Sequence, residues 1–189
     1  MALSDLARET LIAELRAHAL VIGEVTLTSG KKAYYYVDAK RAILRQPTFG
    51  ALAELVAGIA TERGAAAVGG MTMGADPIAS AALAGPGGEQ LLAFFVRKEK
   101  KEHGLQRWVE GPLLASGTKV LVVEDVVTTG GSTVQAIERI REEGLEIVGT
   151  VSVLDRLAGG GEAIEAAGGA PYEALATIDD VYPDRPDRR

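Results

Sequence analysis

The apolar positions Leu6, Ala7, Leu11, Ile12 and Leu15 recur at the three-and-four spacing of one helical face, and Ser4 stands where it can cap such a helix, which ends before Gly23. Residues 24 to 38 change character. β-branched and tyrosine residues surround Ser29-Gly30-Lys31, the pattern of a hairpin or two short strands. A second helix follows Pro47, with Phe49, Leu52, Leu55, Val56 and Ile59 on one face. From there the order is regular: a short strand over 65–69, a helix over 77–84 stopped by Gly85-Pro86-Gly87-Gly88, and a buried strand over 91–96. A second buried strand over 119–123 leads to a helix over 132–143 ended by Gly144, then to a strand over 147–154. Helices alternating with continuous apolar strands predict an α/β fold around a mostly parallel sheet, whose ligands bind beyond the carboxyl ends of the strands.

Composition narrows this picture. The 189 residues are 47% hydrophobic and 24% charged, with no linker or internal repeat, which predicts a single domain. The longest apolar run, Leu91 to Val96, is far short of the roughly 20 residues of a membrane-spanning helix. No basic start followed by an apolar stretch marks a secretory signal, so the cytoplasm is the expected address. The absence of cysteine excludes disulfide frameworks, zinc ribbons, iron–sulfur clusters and thiol nucleophiles together. A net charge of −6 argues against nucleic acid as a partner.

The most informative segment is Val120-Leu121-Val122-Val123-Glu124-Asp125-Val126-Val127-Thr128-Thr129-Gly130-Gly131-Ser132-Thr133. A buried strand runs into two carboxylates and then a Gly-rich turn at a helix start. Backbone N–H groups there, with the hydroxyls of Thr128, Thr129 and Ser132 and glycines that allow close approach, make a phosphate cradle. Carboxylates beside it would repel a bare phosphate, so they suggest a ligand that also carries hydroxyls or a bound cation, such as a sugar phosphate. The same spacing also fits a capped helix with two solvated acids before it. Neither a Walker loop nor a Gly-x-Gly-x-x-Gly fingerprint occurs. A second segment, Arg97-Lys98-Glu99-Lys100-Lys101-Glu102-His103-Gly104, concentrates four cations at the ligand edge of the sheet, inside a connection to about Gly111 that is long for a structureless loop. It reads as an active-site lid or as a solvated charged loop. Trp108 and His18 read as packing residues, and Asp76 as a helix N-cap before Pro77 or a ligand of metal-bound water.

The first segment resembles the type I phosphoribosyltransferases, and the second resembles the catalytic loop of the orotate phosphoribosyltransferases, Arg-Lys-x-x-Lys-x-His-Gly, filled by Arg97, Lys98, Lys101 and His103. The resemblance extends to Thr26-Leu27-Thr28-Ser29-Gly30-Lys31-Lys32, to Tyr34-Tyr35-Tyr36-Val37-Asp38 and to Asp155-Arg156. It implies a type I phosphoribosyltransferase fold with an N-terminal hood over about 1–40 and, from the composition of its end, a frayed tail over about 183–189. It implies that Glu124 and Asp125 hold the ribose of phosphoribosyl pyrophosphate, with Asp125 counted among the catalytic groups. Thr128, Thr129, Gly130, Gly131, Ser132 and Thr133 then hold its 5-phosphate. Mg²⁺ bridges pyrophosphate and ribose, with no protein ligand of its own assigned. Arg97, Lys98 and Lys101 neutralise the leaving pyrophosphate, His103 is a proton donor to it, Tyr36 contacts ligand, and Arg156 meets the orotate carboxylate. A homodimer with loop 97–111 acting in trans is implied as well. The chain departs from the family pattern at Thr28 and Met73, where lysines credited with diphosphate contacts stand elsewhere; this shifts that load to backbone N–H groups around 72–76 and to the Arg97–His103 loop. A purine phosphoribosyltransferase, a non-catalytic sensor of phosphoribosyl pyrophosphate and an inactive partner subunit are the alternatives.

Overall fold

The structure, a computed structural model, describes residues 3–26, 32–100 and 107–188. Helix α1 (Leu3–His18) turns Ala7, Leu11 and Leu15 into the core, and strand β1 (Leu20–Thr26) follows almost at once. Ser4 therefore lies inside the helix rather than capping it, and the hairpin begins four residues earlier than the sequence pattern suggests. The cause is Gly23, which is not a helix stop but sits at φ +140° in a bulge of β1, between Ile22 and Val25, opposite β2 (Lys32–Val37). This antiparallel pair forms a two-stranded sheet of its own. The short helix α2 (Lys40–Ile43) and the long α3 (Gln46–Glu62), with Pro47 in its first turn, join it to the central sheet.

That sheet contains β3 (Ala67–Met71), β4 (Leu92–Val96), β5 (Val109–Glu110), β6 (Lys119–Val127), β7 (Glu146–Asp155) and β8 (Tyr172–Thr177). Its order is β5-β4-β3-β6-β7-β8, parallel throughout except for the antiparallel edge strand β5. Helices α4 (Asp76–Ala82), α5 (Gly131–Glu142), α6 (Gly160–Gly168) and α7 (Ile178–Val181) complete the chain. Alternation along β6 splits the core in two. Leu121 and Val123 pack with α1, α3 and α4 on one face, and Val120 and Val122 pack with Ala136, Ile137 and Ile140 of α5 and Ile164 of α6 on the other. At the centre Gly70 replaces a side chain that would collide with the Val123 carbonyl, so β3 and the start of α4 approach β6 closely.

The mostly parallel α/β sheet with flanking helices is the expected fold, with shifted boundaries. Strand β6 continues four residues past its expected end because its pairing with β7 runs to Val127 opposite Asp155. Elements β5, β8, α2, α6 and α7 were not anticipated. In the tail, Arg185 pairs with Asp179 and, at 3.2 Å, with Asp187, whose Oδ2 accepts the Tyr35 hydroxyl at 3.0 Å. Among the described residues no helix is long and apolar enough to cross a membrane.

Candidate active site

Because β6 carries on through the acidic pair, its alternation sends the two carboxylates to different neighbours. Glu124 is only 5% exposed, and its Oε2 accepts the Thr133 hydroxyl at 2.9 Å while Oε1 lies 3.2 Å from the Asp125 N–H. Burial, and then the charge of Asp125, pushes the Glu124 carboxyl up to about 7. Asp125 Oδ1 accepts the Val126 N–H at 2.8 Å, and Oδ2 faces Lys40 Nζ at 3.2 Å. The same ammonium lies 3.3 Å from Asp38 Oδ1. Burial works against its charge, but Asp125 and Asp38 outweigh this and raise its pKa above the ordinary lysine value. Gly74, in the turn after β3, gives the carboxylate room: a Cβ there would lie 2.6 Å from Asp125 Oδ1.

Directly after β6 the turn 128–130 leads into α5. Gly130 sits at φ +79° as the helix N-cap and offers no capping side chain, so the first-turn N–H groups of Gly131, Ser132 and Thr133 are open to an anion. The turn is wedged in place by Gly160 at the start of α6: a Cβ on Gly130 would lie 2.8 Å from the Gly160 carbonyl oxygen, and one on Gly160 would lie 2.6 Å from that of Thr128. Thr129 and Ser132 are exposed and Thr128 half-buried, so their hydroxyls can join the cradle. Thr133 differs. Its one hydroxyl proton is committed to Glu124, and only its backbone N–H is left for a phosphate.

Arg156 follows β7, with its N–H on the Val127 carbonyl at 2.9 Å. Asp155 does not pair with it: that carboxylate accepts the Leu157 N–H at 2.7 Å and the Tyr172 hydroxyl at 2.8 Å. The Arg156 guanidinium instead lies 5.1 Å from the Tyr35 ring centroid, and its Nε is buried without a hydrogen-bond partner. The aromatic brought to Arg156 is thus Tyr35, which faces the core; Tyr36 points to the other face of β2 and is 40% exposed.

Lys101 and His103 lie outside the described residues, as does Thr28. The root of their loop is described. Strands β4 and β5 pair Val96 with Val109, and the Arg97 N–H donates to the Trp108 carbonyl at 2.9 Å. Arg97, Lys98 and Glu99 line an open pocket of about 360 Å³ with Thr72, Phe95 and Glu110. This brings the loop's first cations to the turn after β3. Met73 in that turn is 73% exposed, and Asp76 is the first residue of α4 and not its cap, its carboxylate accepting the Thr72 hydroxyl at 2.6 Å. The N–H groups of Thr72 and Ala75 are taken by Val96 and Met71 carbonyls, leaving those of Met73 and Gly74 without a partner among the described residues.

The site therefore gathers the ends of β3, β4, β6 and β7: an anion cradle, two carboxylates with one ammonium, the Arg156 guanidinium and a cationic loop root. Sequence reasoning missed Lys40 and Tyr35. Lys40 reads locally as a solvated charge, because its partner is 85 positions away. Among the described residues no three histidines or acids converge on a metal position.

A phosphoribosyl transferase domain family model matches residues 56–167. The orotate phosphoribosyltransferase of Corynebacterium glutamicum is 46% identical over 93% of this chain and 94% of its own, and that of Streptomyces avermitilis is 46% identical over 94% and 98%. Among solved structures, the Mycobacterium tuberculosis orotate phosphoribosyltransferase bound to 5-phospho-alpha-D-ribosyl 1-diphosphate superposes with a TM-score of 0.78 at 36% identity, covering 93% of this chain and 98% of that one. An adenine phosphoribosyltransferase from Leishmania tarentolae, at 15% identity and a TM-score of 0.66 over 90% of this chain and 88% of that one, shares the fold alone.

Proposed function

The chain belongs to the orotate phosphoribosyltransferases, within the phosphoribosyl transferase domain family, and we propose that it works through the residues gathered at the carboxyl ends of β3, β4, β6 and β7. The reaction is transfer of the phosphoribosyl group of 5-phosphoribosyl 1-pyrophosphate to orotate, giving orotidine 5′-monophosphate and pyrophosphate.

The observation that carries the residue assignment is the joining of the acidic pair and the anion cradle on one strand, turn and helix, with Thr133 tying them together. The 5-phosphate sits on the N–H groups that open α5, with the Thr128, Thr129 and Ser132 hydroxyls around it. Glu124 and Asp125 hold the ribose hydroxyls. As the anomeric carbon loses pyrophosphate it becomes cationic, and the negative pair favours that charge. Arg97 and Lys98 at the loop root, with Lys101 and His103 beyond it, meet the negative charge growing on the leaving group, and His103 supplies it a proton. Arg156, whose Nε has no hydrogen-bond partner among the described residues, carries a guanidinium that suits a planar carboxylate, which is what orotate offers. Orotate is already an anion with its attacking nitrogen in the ring, so no strong general base is needed.

A magnesium ion, a hard cation that keeps several waters and phosphate ligands, would be held on substrate oxygens beside the Glu124 and Asp125 carboxylates, with no protein ligand of its own assigned. When bound, it neutralises pyrophosphate charge. The protein acts as a homodimer whose loop 97–111 serves the neighbouring site. The test is pyrophosphate release by purified protein with phosphoribosyl pyrophosphate and Mg²⁺, offered orotate, uracil, adenine and hypoxanthine in turn. Release with orotate alone is expected; release with a purine instead would overturn the assignment.

A further inference from the structure

Lys40 is not held by chance. Its helix is short, but the flanking Ala39, Ala42 and Ile43 are fully buried, and the Asp38 N–H donates to the Ala19 carbonyl at 2.9 Å, so the stem of the side chain starts from fixed backbone. From there the ammonium reaches the core sheet and touches Asp125 Oδ2 at 3.2 Å and Asp38 Oδ1 at 3.3 Å. It is the one cation paired with the acidic pair among the described residues. The surroundings make that cation necessary. Asp38 and Asp125 both face this ammonium, with Glu124 next to Asp125 in the strand, at a place that must accept a polyanionic substrate, and the adjoining turn Thr72-Met73-Gly74-Ala75 carries no positive side chain. Two constraints define the Asp125 carboxylate: Oδ1 is fixed by the Val126 N–H and confined by Gly74, and Oδ2 is met by Lys40 among the described residues.

We infer that Lys40 is a positioning residue for this reaction, acting through Asp125: it aims the carboxylate that meets the ribose, and it offsets acidic charge that would otherwise repel phosphoribosyl pyrophosphate. This inference rests on the reaction assigned above. It makes Lys40 the tie between the N-terminal hairpin and the core sheet at the point where the donor substrate binds.

The test uses full-length Lys40→Met and Lys40→Arg proteins, with Asp125→Asn and the Lys40→Met/Asp125→Asn double variant. Steady-state kinetics are measured for both substrates, and titration calorimetry measures phosphoribosyl pyrophosphate binding without acceptor. Lys40→Met should lower kcat/KM for phosphoribosyl pyrophosphate at least about tenfold and weaken its binding, while KM for orotate changes less than about threefold. Lys40→Arg should recover most of the loss, and the double variant should be no worse than Asp125→Asn alone. Additive losses, an equal effect on both substrates, or an Arg variant as impaired as the Met variant while melting like wild type would overturn the role. Since donor binding is read without acceptor, failure of the orotate assignment would show separately, in the wild-type acceptor assay.

Discussion

The Thr133 hydroxyl, in the first turn of α5, donates to Glu124 Oε2 at 2.9 Å, so a residue expected at the phosphate cradle also holds a buried carboxylate in the strand before it. The cradle and the acidic pair are thereby one mechanical unit. Burial and the neighbouring Asp125 charge push Glu124 up to about 7, and the hydrogen bonds from the Thr133 hydroxyl and the Asp125 N–H oppose this shift.

A pH dependence of stability follows. A carboxyl whose pKa is higher folded than unfolded binds its proton more tightly in the folded state. Its contribution is therefore full below the ordinary value of 4.5 and is lost as pH rises through about 7. The ligand-free protein should lose stability from this group across that window, by roughly 3 kcal/mol at most. Urea unfolding of wild type and Glu124→Gln at pH 5 and pH 8 measures it: the variant should be less pH-dependent and should gain on wild type at pH 8. Parallel curves would remove the assignment.

Arg156 should select the acceptor. With Asp155 occupied by Leu157 and Tyr172, its guanidinium has no carboxylate partner among the described residues, and it lies over the Tyr35 ring. Arg156→Ala should raise KM for orotate at least about tenfold and leave phosphoribosyl pyrophosphate binding within about threefold. An equal loss for both substrates would mean a folding role.

Trp108 should stabilise the loop root. Its Nε1–H donates to Glu142 at 2.6 Å, its backbone N–H donates to Glu143 at 2.8 Å, and Arg139 and Lys100 lie 4.4 and 5.3 Å from its ring centroid. Arg139 also donates to the Arg97 carbonyl at 2.8 Å, so the C-terminal half of α5 clasps both ends of the loop stem. Trp108→Leu should cost about 2 kcal/mol in urea unfolding and raise KM for pyrophosphate in the reverse reaction. Unchanged values for both would leave Trp108 a surface residue. As the only tryptophan in the chain, it also reports its own environment by fluorescence.

What the sequence made legible was whatever rests on neighbours in the chain. The period of α1, the continuous apolar strands and the Glu124-to-Thr133 segment are local patterns, and the structure places them as read, within a few residues. What escaped was decided by distant partners. The length of β6 depends on β7, the bulge at Gly23 depends on β2, and Thr133's hydroxyl is claimed by a residue nine positions earlier that only a strand-to-helix turn brings near. Lys40 and the Tyr35–Asp187 contact are the extreme cases. Asp125 lies 85 positions from Lys40, and Asp187 lies 152 from Tyr35, so nothing beside either residue hints at the contact.

The loop between Arg97 and Gly111 should act on the neighbouring subunit. An oxocarbenium-like sugar exposed to water hydrolyses, so the chemistry favours a cover that excludes solvent as it brings cations to the leaving group. Arg97 and Lys98 line a pocket with Thr72 of their own chain, and Lys101 and His103 lie outside the described residues. A two-fold dimer makes an exchange reciprocal. Lys101→Ala and Asp125→Ala proteins should each retain less than about a tenth of wild-type turnover. Mixed equally and allowed to re-pair at random, half the dimers hold one of each. If the loop works in trans, each mixed dimer has one intact site out of two, and about a quarter of wild-type activity should return. If the loop works within its own chain, every site keeps one defect and nothing returns. Mass spectrometry of differently labelled subunits checks that exchange has taken place, so a flat activity result with exchange complete rejects action in trans and leaves the reaction itself untouched.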